Sequence, residues 1–151
     1  ADLASILANH PGKTIEMGYD GNPADGEPVN GLTTYRPLLV MAGNPLTIDV
    51  GALLDMQLSG VQIPSSTVEY LRSCRTAIWL IPRGNEPFSL LNGYAKVAPE
   101  KFRDRHLFTT QFREAFFTNY EKKESSSFYD LWECRDDGNQ PAHTLSPDKN
   151  G

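Results

Sequence analysis

Ala77-Ile78-Trp79-Leu80-Ile81-Pro82-Arg83-Gly84-Asn85-Glu86-Pro87-Phe88 is the stretch on which the fold turns. Five apolar residues in a row have the length and character of a strand covered on both faces, and Pro82 and Gly84 then stop the run in a turn. That turn carries a guanidinium (Arg83), an amide (Asn85) and a carboxylate (Glu86), so the pattern predicts a buried strand delivering polar groups to the edge of a sheet.

Working outward, Ser66-Thr67-Val68-Glu69 matches a capping box and predicts a helix from Ser66 that buries Val68 and Leu71 and leads into this strand. Before it, Thr47 is expected to cap a helix with Val50, Leu53, Leu54 and Leu58 on one stripe, ending near Gly60. The run Pro37-Leu38-Leu39-Val40-Met41-Ala42, closed by Gly43-Asn44-Pro45, reads as another strand apolar on both faces. Leu3, Ile6 and Leu7 predict a short helix stopped by Asn9-His10-Pro11-Gly12, and a strand is expected over 14–19. Residues 20–31 are loop chemistry, rich in Gly, Pro, acids and amides.

Downstream, Phe112, Ala115, Phe116 and Tyr120 form a helical stripe that begins near Thr110. Strands at 120–124 and 128–134, joined by Ser125-Ser126-Ser127, complete a hairpin. The tail 136–151 has almost no apolar residue and is expected to be disordered. Strand, helix, strand, helix, strand predicts an α/β domain over 1–135: a Rossmann-like three-layer sandwich with a mainly parallel sheet and a C-terminal antiparallel hairpin.

A chain of 151 residues can bury roughly two thirds of its unfolded surface around one core. The net charge of −5 argues against nucleic acid as a partner, since phosphate neutralisation needs clustered Lys and Arg. No apolar run reaches the roughly 20 residues needed to span a bilayer, and no secretory leader is visible, so the chain as given reads as soluble. Its start at Ala1 fits a processed chain or an excised piece of a longer one. Cys74 and Cys134 permit one disulfide, but two separate half-buried thiols are the simpler expectation, and neither thiol has a His at metal-ligand spacing.

Ligand groups in α/β sheets collect at the carboxyl ends of the strands. The candidates for ligand binding there are Tyr19 and Asp20, Asn44, and Arg83, Asn85 and Glu86. Gly18-Tyr19-Asp20-Gly21 and Met41-Ala42-Gly43-Asn44-Pro45 lack a dinucleotide fingerprint, and no cofactor is expected. Asp20, Asp25 and Glu27 match no calcium loop and read as a solvated acidic segment, so no metal site is expected. His10, His106 and His143 stand in unrelated contexts and read as surface residues, while the serine runs lack a nucleophile elbow; no catalytic residue is expected. Arg83 and Glu86 either pair with each other or serve a ligand, the guanidinium meeting an anion and Asn85 and Glu86 accepting hydroxyls. Trp79 and Trp132 read as core and hairpin packing.

The string from Trp79 through Pro82-Arg83-Gly84-Asn85-Glu86-Pro87-Phe88-Ser89-Leu90 is followed by Phe112-Arg113-Glu114-Ala115-Phe116-Phe117-Thr118-Asn119-Tyr120 and Ser127-Phe128-Tyr129-Asp130-Leu131-Trp132-Glu133-Cys134. This pattern resembles the C-terminal soluble part of multi-spanning membrane glycosyltransferases, the polyprenyl-phosphate-sugar-dependent class related to protein mannosyltransferases. The resemblance covers residues 38–134. It implies an extracytoplasmic domain of a bacterial membrane enzyme, a fragment without the metal and lipid-phosphate chemistry that lies between the membrane helices. Such a domain, catalytically silent alone, would recognise an acceptor or cover the membrane active site. Its partners would be the membrane-embedded part of the same polypeptide and a glycan, lipid-linked sugar or protein acceptor. The 83–86 edge and the 20–31 loop are the contact candidates. Two further readings remain open: an independent small-molecule or nucleotide-binding enzyme with a pocket at Tyr19, Asn44 and Arg83, and a non-catalytic module that offers the 112–134 unit to a partner strand.

Overall fold

A computed structural model describes residues 2–18, 30–89 and 106–135, with the side chains at 30–35, 50, 51 and 54 outside the description. The elements run α1 (Asp2–Asn9), β1 (Ile15–Met17), α2 (Asn30–Met41), α3 (Val50–Leu58), α4 (Ser65–Arg72), β2 (Ile78–Pro82), α5 (Thr110–Asn119), β3 (Tyr120–Ser125) and β4 (Tyr129–Cys134). The sheet order is β1-β2-β4-β3. β1 runs parallel to β2, whereas β4 is antiparallel to both β2 and β3. The chain is therefore mixed α/β, with the expected parallel pair and C-terminal hairpin. The expectation of a mainly parallel sheet is not met among the described residues, where two of the three pairings are antiparallel.

The difference originates at 37–42, where 37–41 is not a strand but the end of α2, with Pro37 inside the helix, and Ala42 follows in a turn. Only one side of this run is covered: Leu39 is 2% exposed, whereas Met41 is 83% exposed and Leu38 and Val40 are about as open as surface residues. A short apolar run fits a strand and a helix equally well, so periodicity alone does not separate them. Gly43, at φ +87°, ends the helix. Its N–H donates to the Val40 carbonyl (2.9 Å) and the Asn44 N–H to the Leu39 carbonyl (3.0 Å), the paired bonds of a Schellman motif.

Two caps also differ from expectation. Asp49, rather than Thr47, caps α3, its carboxylate accepting from the Ala52 N–H at 2.8 Å. Thr47 is occupied elsewhere, its N–H donating to Glu16 Oε1 at 2.7 Å. α4 starts at Ser65 behind Pro64 with no side-chain cap, so the Ser66–Glu69 box does not form and Glu69 pairs with Arg72 instead. α5 has a true cap, Thr109 Oγ1 accepting from the Phe112 N–H at 3.2 Å.

Alternation along β2 sorts the core onto the two faces of the sheet. Trp79 lies opposite Trp132, and on this face α5 contributes Phe112 and Phe116. Phe88 is the hub, its ring centroid 5.5 Å from Trp79, 4.9 Å from Phe108, 5.0 Å from Phe112 and 4.8 Å from Phe116, all edge-on. The backbone at Phe88 is left-handed (φ 54°), a conformation that costs a non-glycine residue energy and is held here by the four ring contacts. Leu80 pairs with Leu131 on the opposite face, where Ile6 of α1 lies beside Leu131.

Cys74 and Cys134 form a disulfide with Cα atoms 5.8 Å apart, which corrects the expectation of two separate thiols. The β2–β4 register is the reason: the Cys134 N–H donates to the Ala77 carbonyl (3.3 Å), three residues from Cys74. Closing a loop over a sequence separation of 60 removes about 4 kcal/mol of unfolded-state entropy in the chain-entropy account. Urea unfolding with and without reductant is expected to differ by that order. The Phe88→Ala variant is expected to lose roughly 3–5 kcal/mol in the same assay, since it removes the hub ring and keeps the backbone strain.

Candidate functional site

The chain leaves β2 through a tight turn in which the Asn85 N–H donates to the Pro82 carbonyl at 3.1 Å. Gly84, at φ +80°, takes the third position, where a type II turn needs a residue free of a Cβ. Two bonds fasten this turn to the β3–β4 hairpin: the Arg83 N–H donates to the Phe128 carbonyl (2.9 Å) and the Gly84 N–H to Asp130 Oδ2 (3.0 Å).

Asp130 is buried on β4 and also accepts from the Ser125 hydroxyl at 2.5 Å, with Lys122 Nζ 3.6 Å away. Burial pushes its carboxyl up, but the Ser125 and Gly84 hydrogen bonds and the Lys122 ammonium together outweigh burial and hold it below the usual aspartate value. On the other side of the turn, Asp2 at the start of α1 accepts from the Ser126 hydroxyl (2.8 Å) and the Ser127 N–H (3.2 Å). Asp130 thus ties the strand end to the hairpin, and Asp2 ties the hairpin tip to α1.

Between α1 and the hairpin tip lies a cleft of roughly 440 Å³, lined by Asp2, Asn9, His10, Arg83, Glu124 and the three serines 125–127. Arg83 is exposed and reaches the Ser126 carbonyl at 3.4 Å, which leaves most of its donor fork to the cleft. His10 follows α1 and sits with Nε2 2.7 Å from Glu124 Oε1 on β3. Its side chain is only 16% exposed, which overturns the reading of His10 as a partnerless surface residue. Among the described residues no serine hydroxyl bonds to His10, so the cleft offers donors and acceptors rather than a nucleophile engaged with its base.

The expected binding residues divide. Arg83, Asn85 and Glu86 share one turn, yet Arg83 faces the α1 cleft while Glu86 pairs with Arg113 of α5. Arg113 also meets His106 Nε2 at 3.4 Å. Arg83 and Glu86 therefore do not pair with each other. Asn85 is an exposed residue of the turn. Asn44 is not part of this group: its Oδ1 accepts from the Ile15 N–H (2.8 Å) and its Nδ2 donates to the Leu39 carbonyl (3.3 Å), tying α2 to the amino end of β1. With 37–41 helical, Asn44 does not follow a strand, and it lies about 15 Å along the sheet from Arg83 at the rise of an extended chain. Tyr19, Asp20, Asp25 and Glu27, with the 20–29 part of the loop and the 136–151 tail, lie outside the described residues.

Sequence reasoning missed Glu16, Asp130 and the His10–Glu124 pair. Glu16 is buried in β1 and accepts from the Thr47 N–H, the Tyr70 hydroxyl (3.2 Å) and the Thr76 hydroxyl, so it joins the segments before α3 and after α4. Nearby, the Tyr120 hydroxyl donates to the Thr76 carbonyl at 2.8 Å, and burial pushes this phenol up to about 12. Ile15-Glu16-Met17 and Tyr129-Asp130-Leu131 did carry a signal, a lone carboxylate between apolar neighbours in a strand. The His10–Glu124 pair spans 114 positions and had none.

No family model matches this chain, and neither a curated protein nor a solved structure matches it significantly. Among the described residues no helix is long and apolar enough to cross a membrane.

Because its folded pKa is depressed, the ionised Asp130 contributes stability that is complete above the unfolded aspartate value and is lost as pH falls through the folded one. Urea unfolding of the wild type and Asp130→Asn is therefore expected to differ most near neutrality and to converge as pH drops below about 4. A pH-independent gap would show that the charge contributes nothing.

Proposed function

We propose that this chain is a recognition domain acting on the extracytoplasmic side of a bacterial membrane, as the C-terminal part of a polyprenyl-phosphate-sugar-dependent glycosyltransferase. In that role it binds a sugar-bearing acceptor or head group, or covers the membrane active site, and carries no chemistry of its own. The observation that carries the reading is the cleft beside the Pro82–Asn85 turn, where one guanidinium, several hydroxyls and carboxylates converge. Such a surface suits a ligand dense in hydroxyls with an anionic group for Arg83. The Cys74–Cys134 disulfide supports the compartment, because such bonds persist where the surroundings are oxidising. The Rossmann-like three-layer arrangement belongs to the same reading, supported by the parallel β1–β2 pair and by the contacts of α2 with β1 and of α5 with β3.

Other readings have less support. A nucleotide pocket at Tyr19, Asn44 and Arg83 conflicts with Asn44 and Arg83 lying at opposite ends of the sheet. Strand addition to the hairpin would use β3, the edge strand, whose exposed Lys122 and Lys123 oppose such pairing.

Titration with oligosaccharides and with soluble sugar phosphates, followed by amide chemical shifts, is expected to perturb Arg83, Ser126 and Ser127. Arg83→Ala is expected to weaken that binding by roughly tenfold or more, as loss of a charge-assisted hydrogen bond would. Unperturbed spectra with every probe, or an Arg83→Ala variant that binds as the wild type does, would remove the proposal. The natural reading frame is further expected to encode about a dozen apolar spans upstream of Ala1.

A further inference from the structure

Beside the cleft, three side chains from distant parts of the chain converge: His10 after α1, Glu124 on β3 and Glu133 on β4. One ligand atom from each lies within 4.8 Å of the others. We propose that these residues form a site for a single divalent transition-metal ion, with Zn²⁺ as the best match.

The sheet is built so that the two carboxylates meet. Along β4, Leu131 and Glu133 project to the same face. Continuing the register of Glu121 with Glu133 and Lys122 with Trp132 would set Glu124 against Asp130, on the face that carries Trp132. A bulge between Lys122 and Glu124 shifts the pairing, so that Glu124 lies opposite Leu131 instead. That single extra residue moves Glu124 to the α1 side of the sheet, diagonal to Glu133, where His10 meets it at 2.7 Å. The His10 backbone is held by its own turn, its N–H donating to the Ile6 carbonyl at 3.1 Å and its carbonyl accepting from the Lys13 N–H at 3.3 Å.

Two carboxylates drawn this close repel one another unless a positive charge lies between them. Apart from the His10 imidazole, the neighbouring basic groups are engaged elsewhere: Lys122 with Asp130, and Lys123 and Arg135 with Glu121. Glu133 makes no ion pair among the described residues. A dication coordinated by both carboxylates and a neutral imidazole removes the repulsion. Zn²⁺ accepts both imidazole nitrogen and carboxylate oxygen, and the imidazole favours it over Mg²⁺ or Ca²⁺, which take oxygen donors; three protein ligands leave a fourth position open. Donors about 2 Å from such an ion stand roughly 3–3.5 Å apart in a tetrahedral arrangement, within the reach of side chains already inside 4.8 Å. His10 and Glu124 also line the cleft that holds Arg83, which sets the site next to it. The metal site stands on these three residues whether or not the cleft binds a carbohydrate.

Calorimetric titration of the chelator-treated full chain with Zn²⁺ alone tests this. One ion per chain is expected, with micromolar or tighter affinity, while Mg²⁺ binds far more weakly. His10→Ala and Glu133→Gln are each expected to weaken Zn²⁺ binding by about tenfold or more. Glu121→Gln, already paired with Lys123 and Arg135, leaves it unchanged. If His10→Ala fails to fold, Mn²⁺ added to the wild type should selectively broaden the amide resonances of His10, Glu124 and Glu133. Absence of stoichiometric binding, equal affinity in Glu133→Gln, or broadening centred on another part of the chain would overturn the site.

Discussion

The antiparallel pairing of β2 with β4 is the constraint on which the other features rest. It sets Trp79 against Trp132 and Leu80 against Leu131, and thereby fixes both faces of the core. The same register puts Tyr129 beside Pro82, so the hairpin tip arrives next to the Arg83 turn, and it puts Cys134 beside Ala77, within disulfide reach of Cys74. A slip of one residue would turn every β4 side chain to the opposite face and separate all three. Aromatic packing makes such a slip costly, because Phe116 stacks on Tyr120 and touches Trp132 while Phe88 closes over Trp79.

Two buried carboxylates act as fasteners. Glu16 gathers the polar groups of Thr47, Tyr70 and Thr76 beneath α4, and Asp130 holds the Gly84 amide and the Ser125 hydroxyl. A carboxylate in such a place is tolerated only when its oxygens are saturated with donors, as both are here. The consequence for the cleft is rigidity. Arg83 projects from a turn bound on one side by Asp130 and on the other by the Phe128 carbonyl, so its stem is positioned before any ligand arrives.

Much of the fold was legible locally. The α1 stripe, the β2 run, the aromatic face of α5 and the hairpin around Ser125-Ser126-Ser127 all announce themselves by period and by turn residues. The 37–42 run misled because six apolar residues carry no decisive period, and the Gly43 that ends the helix reads equally well as the end of a strand. Of the candidate site, the Arg83–Glu86 turn was visible, since a polar cluster after a buried strand is a local pattern. Asn44 was misplaced with its strand, and Glu86 turned to α5, where it pairs with Arg113, a residue 27 positions away that no local pattern links to it.

By itself the sequence determined which segments are apolar, where the chain turns, and that a guanidinium, an amide and a carboxylate follow the most buried strand. These are properties of neighbours in the chain, set by side-chain period and backbone freedom. Only the tertiary structure decided that Cys74 meets Cys134, that His10 meets Glu124 and Glu133, and that Arg83 and Glu86 part to different sides of the sheet. Those outcomes depend on strand register and on one β-bulge, which align residues 60 or more than 100 positions apart. No local pattern encodes such distances, because the free energy that selects the register comes from packing the whole core.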